Sequence, residues 1–139
     1  MIGYPRLVRL LALASILAGC GGGPQLSNLR CRSAQCQHAE DPFRVLLAVD
    51  FDDPSGTLDK GALDLRINGS TQASVALADL FAAQGLAPGT PRGTLNVDEE
   101  MVLDRITQGQ QVRVGLLATN GQGRDSNDPS LTFTLHLGQ

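Results

Sequence analysis

The sequence predicts an all-β protein, a small antiparallel sandwich of six or seven strands. Three observations predict it. Apolar residues recur at every second position over four separate stretches, turn-forming residues punctuate the chain between them, and no long stretch carries the period of an amphipathic helix. A period of two sends successive side chains to opposite faces of a strand, so one face is buried and the other is wet.

The first strong stretch has Phe43, Val45, Leu47, Val49 and Phe51 alternating with Arg44, Leu46, Ala48 and Asp50. Leu63, Leu65 and Ile67 alternate with Asp64, Arg66 and Asn68. Val112, Val114, Leu116 and Ala118 alternate with Arg113, Gly115, Leu117 and Thr119. Leu131, Phe133, Leu135 and Leu137 alternate with Thr132, Thr134 and His136. Weaker strands are expected at residues 73–78 and 92–97, with a further short one at 101–106. Turn signals lie between: Asp53-Pro54-Ser55-Gly56, Asn68-Gly69, Pro88-Gly89 and Asn120-Gly121. The stretch LADLFAAQ, residues 77–84, has helical composition and predicts one or two helical turns at a sheet edge. The acids Asp98, Glu99 and Glu100 read as a solvated turn between strands. The domain is expected to span residues 43–139.

Composition narrows the function. Of 139 residues 42% are hydrophobic but only 4% aromatic, with no Trp, so the core must be aliphatic. The net charge is −3 and there is no run of Lys or Arg, which excludes a nucleic-acid surface built on phosphate contacts.

The N-terminus follows the plan of a secretory signal. Arg6 and Arg9 supply the positive end, residues 10–17 are apolar except for Ser15, and Ala18 and Gly19 are small. The apolar run falls short of the roughly 20 residues that span a bilayer. Leu17-Ala18-Gly19-Cys20 resembles the lipobox of bacterial lipoproteins at every position. That resemblance implies removal of residues 1–19 as a signal peptide and acylation of Cys20. It also implies anchoring to a membrane of the bacterial cell envelope through two or three chains, since one chain holds only marginally. Gly21, where Asp marks inner-membrane retention in that family, points to the outer membrane.

Residues 20–42 are expected to form a flexible tether, with three glycines at 21–23 and prolines at 24 and 42. With Cys20 acylated, Cys31 and Cys36 remain as an even pair in an oxidising compartment, which predicts a disulfide. The alternative is a zinc site from Cys31, Cys36 and His38, completed by Glu40 or Asp41.

The body resembles the immunoglobulin-like modules of bacterial surface proteins, through VDFDDPSGTLDKGALDLRING early and VRVGLLATNGQGRDSNDPSLTFTL late. The Cys…Trp…Cys core of true immunoglobulin domains is absent: there is no Trp, and no Cys follows residue 36.

Asp50, Asp52, Asp53 and Asp59 crowd one strand end and turn, and Asp125 and Asp128 lie in the late loop. If the two loops share an end of the sandwich, these carboxylates are candidate ligands for calcium, which takes 6–8 oxygens. Turn-forming Asx hydrogen bonds explain the same acids without an ion. For catalysis the chain offers only His38, in the tether, and His136, near the C-terminus, and no G-x-S-x-G occurs. Asn68-Gly69-Ser70 matches a glycosylation sequon but reads as a turn. The expectation is therefore a non-enzymatic, lipid-anchored module for binding or assembly with an envelope protein partner. The alternative is a module that binds calcium or a small ligand through its acidic loops.

Overall fold

The strongest alternation in the sequence becomes the central strand of one sheet. In the computed structural model, which describes residues 22–138, β1 (Gln25–Cys31) and β5 (Arg92–Glu100) flank β2 (Arg44–Asp52), giving the order β1-β2-β5. The facing sheet has the order β4-β3-β6-β7, from β3 (Ala62–Ile67), β4 (Ser70–Ala76), β6 (Gln111–Thr119) and β7 (Ser130–Thr134). All pairs are antiparallel. The chain crosses between sheets after β2, after β4 and after β5, the connectivity of a seven-strand immunoglobulin-like sandwich.

The predicted inward residues fill the space between the sheets. Val45, Leu47, Val49 and Phe51 of β2 face Leu63, Leu65 and Ile67 of β3, and Val112, Val114, Leu116 and Ala118 of β6, all buried. The Asn68-Gly69 signal becomes a two-residue hairpin between Ile67 and Ser70. Both residues take positive φ, 51° and 90°, which matches the right-handed twist of the strands it joins.

The helical stretch forms α1 (Leu77–Gln84), whose Leu77 and Phe81 are buried. Phe81 packs on Phe51 with ring centroids 5.5 Å apart. The helix ends at Gly85 (φ 72°), where the Gly85 N–H donates to Ala82 O and the Leu86 N–H to Phe81 O.

Three expectations are corrected. Residues 25–42 are not a tether: Gln25–Cys31 is the edge strand β1, paired along β2 from Gln25↔Asp52 to Cys31↔Leu47. Leu26 is 3% exposed, so the described domain begins before Phe43. Asp98, Glu99 and Glu100 are the end of β5 rather than a turn, paired with Leu46, Val45 and Arg44. The Arg44 guanidinium there bonds Asp98 at 2.7 Å. Residues 101–106 form no strand. Pairing stops at Arg44↔Glu100 and the Met101 N–H turns to Phe43 O. Beyond Phe43 stands Pro42, which has no N–H to continue a ladder.

Gly61 lies where β3 starts beside the end of β6. A Cβ there would overlap the Thr119 carbonyl, a backbone group that cannot swing aside. Gly61→Ala is expected to lose about 2 kcal/mol or more of stability. A chain starting at Phe43, which lacks β1, is expected to lose cooperative unfolding altogether. Denaturant melts followed by circular dichroism check both.

Candidate functional site

The two ends of the sandwich differ in what they expose. One carries the N-terminal residues, since Gln25 pairs with Asp52 at the end of β2. The other carries loop 101–110, since Glu100 pairs with Arg44 at the start of β2. A nine-residue strand separates these ends by about 27 Å.

At the N-terminal end three loops are locked together by polar groups. Asp53 is 2% exposed; its carboxylate accepts from the Ser55 N–H and hydroxyl, and from Asn120 Nδ2 at 3.3 and 3.4 Å. Its own N–H donates to Pro91 O. Asp59, also buried, accepts from the Gly89 N–H at 3.1 Å, and the Gly121 N–H donates to Thr57 O at 2.8 Å. Asn120 Oδ1 accepts from the N–H groups of Gln122 and Arg124, so one amide shapes its own turn and braces the next loop.

The acids considered for calcium thus lie partly together, and the two loops do share an end. What joins them is the Asn120 amide, not a set of converging carboxylates. Asp50 sits on the outer face of the first sheet, between Asn28, Arg30 and Thr94. Asp52 pairs with Arg92, Asp128 with Arg66, and Asp125 accepts from the Thr119 hydroxyl. Among the described residues no group of three or more His, Cys, Asp or Glu is placed to hold a metal ion. Hydrogen bonds from Thr94 and Asn28, with a smaller contribution from Arg30, hold the Asp50 carboxyl below the usual carboxylate range.

Cys31 and Cys36 are bonded to each other, which overturns the zinc alternative by removing two of its ligands. Cys36 is fully buried, at φ 61°, and its bond closes the turn that follows β1. Beyond it Gln37 reaches across the domain: its Nε2 donates to Pro42 O and His136 O, and its Oε1 accepts from the His136 N–H. This brings His38 and His136, far apart in sequence, onto the wall of one cavity of about 280 Å³. No catalytic acid lines it, and His38 Nδ1 is occupied by the Glu40 N–H. Cys20 lies outside the described residues.

The other end exposes apolar side chains among polar ones. Val102 is 65% exposed and Ile106 53%, the two large exposed hydrophobic side chains among the described residues, and both sit in loop 101–110. Met101 is pinned in the core, so the loop leaves β5 from a fixed point. Val102 and Leu103 form a ridge between two cavities. One, about 250 Å³, is floored by Phe43 and Met101; the other, about 330 Å³, runs past Ser70 and Gln72 at the start of edge strand β4. The expectation of a short strand at 101–106 concealed this loop. The signal that reveals it is Pro42, which leaves those residues without a strand to pair with.

No family model and no curated protein matches the chain. The solved fibronectin(III)-like modules of Clostridium thermocellum CbhA are similar to it at 10% sequence identity and a TM-score of 0.47, over 82% of this chain and 47% of that one. The chain spans about half the length of that structure.

Calcium at millimolar concentration is expected to leave the melting temperature unchanged. Asp53→Ala is expected to lose about 1–3 kcal/mol, because it strands the amide of Asn120; thermal melts check both. Because folding lowers the pKa of Asp50, its stabilisation is complete above the unfolded carboxylate pKa and is lost as pH falls through the lower folded value. The stability gap between the native chain and Asp50→Asn is therefore expected to close on acidification below about pH 4, in melts taken as a pH series. This sandwich therefore has a polar, interlocked end at its N-terminus and an open aliphatic loop at the other.

Proposed function

We propose that the chain is a non-enzymatic lipoprotein of the bacterial cell envelope. Acylated Cys20 holds it at the outer membrane, and the sandwich is a binding or assembly module for another envelope protein. The observation that carries this reading is the exposed pair Val102 and Ile106, on a loop at the end of the sandwich opposite the N-terminal residues. Sandwich loops on a rigid scaffold suit protein contacts, and exposed aliphatic side chains beside recesses are the usual core of one. The lipobox resemblance of residues 17–20 supports the anchor. The separation of the two ends supports a geometry in which anchor and contact surface do not compete.

Two measurements test the reading. Mass spectrometry of the mature N-terminal peptide is expected to find acyl chains on Cys20, and Cys20→Ser is expected to leave the membrane fraction. In intact cells, a photo-cross-linker at Asp104 is expected to give one discrete adduct. That adduct should disappear in Val102→Asp/Ile106→Asp while the melting temperature holds. A double variant that keeps the adduct places the contact elsewhere.

A further inference from the structure

The leash between anchor and domain is almost absent. Gly23 is packed so closely on the β6–β7 loop that a Cβ there would overlap the Asp125 carbonyl and lie 3.2 Å from the Arg124 Cβ. Pro24 is buried. At Leu26 the backbone is clamped on both sides: its N–H donates to Asn127 Oδ1 and its carbonyl accepts from Asn127 Nδ2, each at 2.7 Å. From Gly23 onward the chain therefore belongs to the domain. Cys20 is three residues earlier, so at 3.8 Å per residue its Cα lies within about 11 Å of Gly23.

We infer that the interlocked loops at the N-terminal end form a foot that stands directly on the lipid headgroups of the bilayer holding Cys20. The inference rests on the acylation proposed above. An acylated cysteine sits at the bilayer interface, and about 11 Å of chain leaves little more than a headgroup layer between it and Gly23. The loops around Gly23 are the parts brought nearest: 53–61, 85–91 and 120–129. They suit a load-bearing surface because Asp53, Asn120, Asp59 and Thr57 tie them to one another. They carry no large exposed hydrophobic side chain, and their exposed charges are mixed, Asp125 and Asp128 beside Lys60 and Arg124, so the foot does not insert and presents no surface of one sign. Contact is imposed by the short leash. Loop 101–110 is consequently held some 27 Å further out, facing away from the membrane.

The test uses the full acylated chain in phosphatidylcholine vesicles containing a lipid with a headgroup nitroxide. A fluorophore is attached at Gln122→Cys, in the foot, or at Asp104→Cys, in the far loop. Quenching is expected at Gln122 and not at Asp104. A Gly/Ser insert of about twenty residues between Gly21 and Gly22, spanning about 25 Å on average, is expected to abolish the quenching at Gln122. Equal quenching at both positions, or none at either, overturns the inference, as does quenching at Gln122 that survives the insert. Mass spectrometry of the same samples separates the two levels. An unmodified Cys20 overturns the anchor and the foot together, whereas an acylated Cys20 without the contrast overturns the foot alone.

Discussion

The structure depends on two sheets held face to face by aliphatic side chains. Leu, Val and Ile fill the gap between β2 and β5 on one side and β3 and β6 on the other, with Phe51, Phe81 and Phe133 as its buried rings. Such packing is strong in sum but non-directional, so it brings the sheets together without fixing how their rims meet. That task falls to primary amides. Asn127 takes both backbone groups of Leu26 on edge strand β1, Gln84 takes Thr94 O and Asn96 N on edge strand β5, and Gln37 takes both backbone groups of His136. A side-chain amide offers one acceptor and a pair of donors, as a neighbouring strand would at one rung. Each therefore blocks a point where a sheet edge would otherwise recruit another chain.

The same division of labour separates the two ends. Where polar residues converge, around Asp53 and Asn120, the loops become a single interlocked surface. At the other end Gln108 and Gln110 hold loop 101–110 through the Leu137 and Thr107 N–H groups, yet Val102 and Ile106 stay exposed. Gln25 lies at the interlocked end and loop 101–110 at the other, so the length of the sandwich separates the first strand's entry from the exposed aliphatic side chains.

Much of the fold was legible because burial imposes the period of two on β2, β3 and β6, and because Asn68-Gly69 marks a conformation that few other residues adopt. β1 was hidden for a physical reason. Its apolar residues Leu26 and Leu29 are three apart, because Asn28 takes φ 54° and the pairing with β2 slips between Ser27 and Arg30. A bulge of this kind erases alternation. The acids were visible but their partners were not: Asp53 and Asn120 are 67 residues apart, a distance over which local patterns carry no information. The disulfide followed from counting cysteines. Residues 101–106 were misread because Met101, Val102, Leu103 and Ile106 have strand-like apolarity, while the strand they would need beside them is ended by Pro42.

The clamps at Leu26 and His136 also bear on how the chain reaches its fold. Leu26 is bound to a residue 101 positions later, and Gln37 to one 99 positions later. The first strand and the turn after it are therefore completed by residues that flank the last strand, β7. Contacts of such long range close large loops before they are rewarded, which makes folding slow and leaves little that is stable in a partial chain. A polypeptide emerging N-terminus first can pair β1 with β2, yet its edges stay open until residue 136 arrives. Until then the turn after β1 lacks the amide clamp that closes it, and a partial chain stays open to wrong partners.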